Sequence, residues 1–316
     1  MSTIFSDSDE MTSISTPASQ NNAQPAGLLS GLPSSYILRS FSSLRKLRID
    51  AQQVLDELDA NDDGNQYILL LNIPKAMRIQ LDEDRNALNG VGFRFMFEGS
   101  AGLIKVVPTY AHDAITGRLS FSIDRLCIRA NVPDTELEWA LTTTFRPTVG
   151  TRGKQPDNCL LPRSRQGSGG QQQGWPTLVI ESGVSESFSK LHDDAKWWFE
   201  NSGGQVRYVI ILCIKRARRT ILLQKLQLSY PGQLVSAAMA GSIQQMVLPP
   251  MPPLVPQAAV NQHPFVAQAV TITPTTVVGS NPIYLHFQAL FDRAPQPGQG
   301  DIVLDSQRLL YLAENL

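Results

Sequence analysis

Residues 93–107, FRFMFEGSAGLIKVV, give the clearest local signal in this chain of 316 residues. Phe93, Phe95 and Phe97 alternate along the first half, as side chains on one face of a strand do. The glycine-rich turn EGSAG at 98–102 follows, and LIKVV at 103–107 forms a second apolar segment. This order predicts a β-hairpin.

After this hairpin the apolar spacing changes to a helical period, which predicts a helix that ends before Pro133. The apolar face of that helix carries Ile115, Leu119, Ile123, Leu126, Cys127 and Ala130. Residues 137–145 alternate as a strand does, although ELEWAL at 136–141 could equally start a helix. Further along, we expect strands at 158–161 and 177–181, a helix at 185–200, and strands at 206–214 and 220–228. The order hairpin, helix, three strands, helix, two strands predicts a mixed α/β domain over residues 36–230.

The two ends of the chain differ from this domain in composition. Residues 1–35 are rich in Ser, Thr, Gln, Asn and Pro, which predicts a disordered tail, and a helix at 36–58 and a strand at 67–73 then lead into the hairpin. Five prolines between 249 and 256 predict a linker over 231–262, or a polyproline segment that docks on an aromatic groove. Residues 263–316 are expected to hold two strands and a final helix, either as a small β/α extension or as a return onto the core.

The composition excludes several classes of protein. An apolar content of 42% excludes wholesale disorder, and a net charge of −1 excludes a globally basic nucleic-acid coat, so any anion-binding surface must be local. Three widely separated cysteines exclude a disulfide framework or a cysteine-based zinc site and favour a reducing compartment. The sequence has no apolar run long enough for a bilayer and no apolar signal core, which predicts a soluble intracellular protein of nucleus or cytoplasm.

Several acidic and basic residues lie at the ends of the predicted elements. Asp157 leads into one strand, Glu181 ends the next, and Asp113 opens the first helix after the hairpin. A turn would explain Asp157 equally well, and the helix dipole would explain Asp113. Glu181 differs, because a carboxylate directly after the apolar residues 178–180 is costly to bury unless it has a partner. Two carboxylates on adjacent strands can hold a hard cation such as Mg²⁺, which polarises a phosphodiester and activates water. Lys190 and Lys196 on the following helix could stabilise the transition state, or could lie on an ordinary solvated face.

The segments PD at 156–157, GWPTLVIE at 174–181 and SES at 185–187 together resemble the PD-(D/E)xK restriction-endonuclease-like superfamily. They are most similar to its group of candidate restriction endonucleases and their fungal relatives. Similar fungal proteins carry a stretch like GVSES at 183–187 through DAKWW at 194–198, and one like LFDR at 290–293 through GDIV at 300–303. The resemblance covers roughly residues 90–230 and that tail, and it implies a restriction-endonuclease-like αβββαβ core.

The resemblance implies a metal-dependent phosphodiesterase of the endonuclease type, with DNA as the expected substrate in preference to RNA. Asp157 resembles the metal-binding aspartate of the second core strand, and Glu181 the acidic residue of the third. Asp113 resembles the additional acidic residue of the first core helix. These three residues are the implied ligands of Mg²⁺ or Mn²⁺.

The lysine of the family's motif is absent from its usual place, because Gly183 lies two residues after Glu181. In related groups that lysine is found on the following helix, which makes Lys196 the first candidate and Lys190 the second. The altered motif also leaves an alternative open, a catalytically inactive protein with a nuclease fold that serves as a binding or scaffolding module.

A basic segment surrounds Asp157 in the sequence. Residues 146–174 contain one acidic residue and five basic ones, which are Arg146, Arg152, Lys154, Arg163 and Arg165. With the glycines and glutamines of 166–174, they predict a mobile loop that attracts a phosphate backbone in a salt-dependent way, although a solvated loop explains them as well. KRARR at 215–219 similarly indicates a nuclear-import signal, a second phosphate contact or a basic β-turn.

Overall fold

The computed structural model describes residues 26–61, 64–107, 111–167, 174–184, 188–314 and 316. The predicted tail at 1–25, the loop at 168–173 and SES at 185–187 lie outside the described residues. The strands are β1 (Ile37–Ser40), β2 (Tyr67–Leu71), β3 (Phe93–Glu98), β4 (Ala101–Val106), β5 (Leu137–Trp139), β6 (Arg152–Lys154), β7 (Asn158–Pro162), β8 (Leu178–Val184), β9 (Tyr208–Lys215), β10 (Thr220–Leu228), β11 (Pro264–Ile272), β12 (Val277–Gly279), β13 (Ile283–Leu285) and β14 (Ile302–Leu304). The helices are α1 (Ala26–Leu29), α2 (Leu44–Asn61), α3 (Lys75–Glu83), α4 (Ala111–Arg129), α5 (Phe188–Asn201), α6 (Ala237–Gln244), α7 (Phe287–Phe291) and α8 (Ser306–Leu312).

The predicted hairpin is confirmed and forms the centre of a five-stranded sheet. Strands β3 and β4 pair antiparallel from Phe93 opposite Val106 to Glu98 opposite Ala101. The order of the sheet is β1-β2-β4-β3-β6, with β1 and β2 parallel and the other neighbours antiparallel. Gly102 is required within β4, because a Cβ atom there would lie 2.6 Å from the ring of Phe95.

A second sheet of seven strands carries the core that the resemblance implies. Its order is β12-β11-β10-β9-β8-β7-β5, and only β8 and β9 among these neighbours run parallel. Helix α5 connects β8 to β9, as a crossover between parallel strands requires. The order α4, β5, β7, β8, α5, β9 within this sheet is αβββαβ, and the mixed α/β class is confirmed.

Helices α4 and α5 cover opposite faces of the second sheet. Because successive strand residues point to opposite faces, Leu178 and Ile180 of β8 pack with α4, while Val179 packs with α5. Strands β2, β3 and β4 of the first sheet pack on the same side as α5. Glu181 has the parity of Val179 and therefore points between the two sheets.

Three of the differences from the prediction concern a helix, a strand and part of the tail. The helix predicted from residue 36 begins only at Leu44, because residues 37–40 pair with β2 as a parallel strand. The strand predicted at 137–145 ends at Trp139, because Leu141 adopts a φ of 47° and the chain turns there. Residues 26–35 of the predicted tail are described and include α1, whose Leu28 is fully buried.

The C-terminal segment continues the second sheet. Strand β11 pairs antiparallel with β10 along nearly its whole length, and β12 follows at the edge. The stretch predicted as a linker contains α6, and β13 and β14 pair with each other. Within the described parts of the chain, none of the helices combines the length and apolar character that crossing a bilayer requires.

Candidate functional site

Asp157 lies where the chain crosses from β6 in the first sheet to β7 in the second, and its side chain is fully buried. Its Oδ2 accepts hydrogen bonds from Lys105 Nζ at 2.8 Å and from the backbone N–H of Ser182 at 2.7 Å, and it lies 3.3 Å from His112 Nε2. Its Oδ1 is 3.0 Å from Arg94 Nε, as an ion pair without the alignment of a hydrogen bond. Burial alone would raise the pKa of Asp157, but the charges of Lys105, His112 and Arg94 hold that pKa well below its ordinary value.

Glu181 lies on β8 and is also buried. Its Oε1 accepts a hydrogen bond of 2.6 Å from Trp198 Nε1 and lies 3.4 Å from Lys154 Nζ. Its Oε2 lies 3.9 Å from Lys105 Nζ, the ammonium that also binds Asp157. Burial raises the pKa of Glu181, and the opposing charges of Lys154 and Lys105 do not cancel this effect.

A third buried acid, Asp194 on α5, extends the cluster. Its Oδ1 lies 2.7 Å from Lys190 Nζ and 3.0 Å from Lys154 Nζ. Burial opposes ionisation, but Lys154 and Lys190 lower the pKa of Asp194 to about 2. The pKa of Lys154 is raised, because Asp194 and Glu181 outweigh the effect of its own burial. These ion pairs run continuously from the first sheet through the second sheet to α5. We call the six residues that form them the ion network, which consists of Lys105, Lys154, Asp157, Glu181, Lys190 and Asp194.

His112 and Asp113 connect the start of α4 to this network. Nε2 of His112 donates a hydrogen bond of 3.0 Å to the carbonyl of Ser182, and Nδ1 lies 3.2 Å from Asp113 Oδ1. Burial would lower the pKa of His112, but Asp157 and Asp113 raise it, since both ring nitrogens face acceptors. Asp113 itself is 61% exposed and lies 3.9 Å from Arg94, so it lies at the edge of the network.

The structure therefore places Asp157 and Glu181 beside one ammonium, that of Lys105, with Asp113 at the edge of the network. The two predicted lysines do not lie beside this pair of acids. Lys196 is 60% exposed and pairs with Glu200 at 3.6 Å, away from the acids. Two helix positions separate it from Asp194, a rotation of about 200° that places it on the opposite side of α5. Lys190 belongs to the network, but its ammonium contacts Asp194 and not the two predicted acids.

The lysines that do lie beside the predicted acids are Lys105 and Lys154, and sequence reasoning missed this role for both. Lys105 was available as a signal, because a lysine inside the apolar run LIKVV must either find a partner or reach solvent. Arg94, His112 and Asp194 were also missed. Asp194 lies four residues after Lys190, a spacing that places the pair on one helix face.

The predicted nucleic-acid contacts do not form one surface. Lys154 is buried in the ion network. Arg165 is buried too, where it binds both carboxylate oxygens of Asp292 and donates to the carbonyls of Trp175 and Gln205 at 2.8 Å. Each of these two cations is therefore bound by partners inside the fold.

The other three predicted contacts lie at the surface. Arg146 is 53% exposed and pairs with Asp82, and Arg152 is 45% exposed and lies 3.5 Å from Glu98. Arg163 is exposed. Two of these three arginines are thus paired with carboxylates, one on α3 and one on β3, which reduces the charge they offer to a phosphate backbone.

The oxygens around Lys105 are of the kind that a hard cation prefers. Its ammonium donates to Asp157 Oδ2 and to the carbonyl of Ser182, and it lies 3.9 Å from Glu181 Oε2. The position among these oxygens is thus taken by a tethered cation. Among the described residues, no group of three or more His, Cys, Asp or Glu side chains is arranged to hold a metal.

Charge and space also oppose a divalent cation here. The three buried acids are matched by Lys105, Lys154, Lys190 and Arg94, so Mg²⁺ or Mn²⁺ would enter a centre that is already compensated. The cavity beside Glu181 and Asp194 has a volume of about 20 Å³. That volume holds about one water molecule, so it has no room for the several waters that Mg²⁺ usually keeps. The residues as arranged therefore do not fit either metal.

Comparisons with known proteins give little to set beside this geometry. No family model matches the chain, and no curated protein matches it. Among solved structures, the crystal structure of a candidate nuclease belonging to DUF820, from Anabaena variabilis, is similar over 45% of this chain and 80% of its own, at 17% identity and a TM-score of 0.32.

Proposed function

We propose that this protein is a catalytically silent module with a nuclease-like α/β fold, which binds or scaffolds a partner. The observation that carries the proposal is the position of Lys105. Its ammonium binds Asp157 and the carbonyl of Ser182 and lies 3.9 Å from Glu181, where a catalytic cation would have to lie. A tethered ammonium neutralises the acids without offering an open coordination position to water.

The burial of the centre supports the same conclusion. Metal-assisted hydrolysis requires that the substrate phosphate and a water reach the metal together. The side chains of Asp157 and Glu181 are 0% and 2% exposed, and the adjoining cavity of about 20 Å³ has no room for a phosphodiester.

The test is a pair of measurements on the full chain. Supercoiled plasmid is incubated with Mg²⁺ or Mn²⁺ and the wild type, Asp157→Ala or Glu181→Ala, and metal binding is measured by calorimetry. We expect no nicking above the level of the two variants and no metal-dependent heat. Nicking by the wild type that needs the metal and disappears in both variants would contradict the proposal.

One observation favours a second candidate, a metal-dependent phosphodiesterase of the endonuclease type that acts on DNA. Asp157 and Glu181 do converge, together with a backbone carbonyl, as oxygen donors around one cation. This candidate requires that Lys105 leave its present position when Mg²⁺ enters. The plasmid experiment separates the two candidates, since Mg²⁺-dependent nicking by the wild type supports only the second.

A further inference from the structure

A basic and aromatic surface runs along the outer side of α4 and meets the C-terminal end of α8. Arg118, Phe121 and Arg125 are spaced by three and four residues, which places them on one side of the helix. Phe121 is 51% exposed, and Tyr311 at the end of α8 is 37% exposed. We call this the α4–α8 surface.

Each of these rings lies beside a guanidinium group. The guanidinium carbon of Arg125 is 5.3 Å from the ring centroid of Phe121, and that of Arg118 is 5.3 Å from the ring centroid of Tyr311. Arg118 also donates to the carbonyls of Tyr311 and Leu312 at 3.3 and 3.4 Å, which joins α4 to α8. Two planar pairs, each with a flat ring and a flat cation, are therefore held next to each other.

The exposure of these rings is not explained by core packing. The opposite side of α4 provides Ile115, Leu119 and Ile123, which are 2% exposed or less. Single exposed apolar residues are common on protein surfaces. Here, however, two rings are exposed together, and both lie within a concentration of positive charge.

The charge comes from three neighbouring segments. Residues 118–129, 215–219 and 305–316 contain eight basic and three acidic side chains, in a chain whose net charge is −1. Arg219 in the turn between β9 and β10 donates to the carbonyl of Leu316, so this turn adjoins the end of α8. The basic turn KRARR therefore lies beside the residues that follow α8.

We propose that the α4–α8 surface binds single-stranded nucleic acid, an inference that rests on the proposed function as a binding module. Phosphates are attracted by the guanidinium groups, and unpaired bases stack on exposed aromatic rings and on guanidinium planes. A duplex hides its base faces, and a peptide of acidic residues alone has no ring to stack, so of these three ligands only an unpaired strand uses both features. The surface lies on the side of α4 away from the sheet and does not include the ion network.

The proposal is tested by fluorescence anisotropy of labelled oligo(dT) with the full chain in EDTA. Phe121→Ala and Tyr311→Ala should each weaken binding by roughly 5- to 100-fold, because a stacked base is lost, without changing the slope against salt. Arg125→Ala should reduce that slope by about 0.7, the value for one phosphate contact on a single strand. Lys196→Ala is the matched control, since it removes an exposed charge on the other side of the second sheet and should change neither quantity.

Thermal unfolding first establishes that the variants, all at exposed positions, remain folded. Wild-type affinity in both aromatic variants would overturn the α4–α8 surface and leave the proposed function standing. Equal binding of oligo(dT), duplex and poly-glutamate would overturn it as well, because charge alone would then suffice. Metal-dependent nicking in the plasmid experiment would instead contradict the silent centre and leave the surface standing, so the two failures can be told apart.

Discussion

Replacing Lys105 by methionine tests the ion network at its central cation. The change removes the ammonium between Asp157 and Glu181 and keeps a side chain of similar length. Asp157 retains Arg94 and His112, and Glu181 retains Lys154. The carbonyl of Ser182 and Asp157 each lose a hydrogen-bond donor, and Glu181 should become still harder to ionise because one of the charges that lower its pKa is gone.

The expected loss of stability follows from the burial of the pair. Removing one partner of a buried ion pair costs roughly 3–5 kcal/mol, because the other charge stays behind without compensation. Arg94 and His112 remain near Asp157, so we expect the lower end, about 3 kcal/mol. For a domain of this size that corresponds to a fall in Tm of roughly 6–12 °C.

The assay is urea and thermal unfolding of the wild type, Lys105→Met and Lys196→Met. Lys196→Met is the same chemical change at a lysine that is 60% exposed, and it should alter the free energy of unfolding by less than about 0.5 kcal/mol. The reasoning is refuted if Lys105→Met is as stable as Lys196→Met.

Three more substitutions examine individual groups. The pKa of Asp194 is about 2, so its ionisation stabilises the fold above about pH 4, and this stabilisation is lost as the pH falls. In urea titrations, Asp194→Asn should therefore remove about 2 kcal/mol of the change in the free energy of unfolding between about pH 5 and pH 2. A variant that loses as much stability as the wild type over this range would contradict the prediction. Burial lowers the pKa of Lys225 to about 7, so above that pH the unfolded chain binds more protons than the folded chain, and the free energy of unfolding should rise with pH up to about 10. Lys225→Met should lose this rise. A rise in the variant equal to that of the wild type would contradict the prediction. Trp198→Phe removes the N–H donor of Glu181 and should cost about 1–3 kcal/mol in urea unfolding, whereas a loss below about 0.5 kcal/mol would show that this hydrogen bond is unimportant.

Local periodicity predicted the parts of the fold whose partners are close in sequence. The hairpin β3–β4 and helix α4 follow from spacing alone, because an alternating segment and a helical one expose different faces. β6 was missed because it is three residues long and polar, and it forms only by pairing with β3 across more than fifty residues. β1 was interpreted as helix for the same reason, since its partner β2 lies about thirty residues away.

In the candidate site, too, residues within a predicted element could be identified from the sequence, but their partners from distant segments could not. Asp157 and Glu181 are each a carboxylate beside a predicted strand, and the resemblance assigned both to the site. The cations could not be assigned, because Lys105 comes from the hairpin of the other sheet and Lys154 from a segment that reads as a basic loop. Lys196 was preferred over Lys190 on the resemblance, and helix geometry then placed its ammonium in solvent.

Gly183 lies at the position where the resemblance to the PD-(D/E)xK superfamily would place a lysine, but the acids have cations from other strands. Residues 181 and 183 of β8 point to the same face of the sheet, since side chains alternate along a strand. A lysine at the usual place in the motif would therefore enter the space between the sheets, where Lys105 and Lys154 already lie within 4 Å of Glu181. A third ammonium there would add repulsion, because three acids already face four cations. A glycine at position 183 is thus consistent with Lys105 and Lys154, whose ammonium groups reach the acids from neighbouring strands. The acids lie in a closed centre that has no place for a second, exchangeable cation.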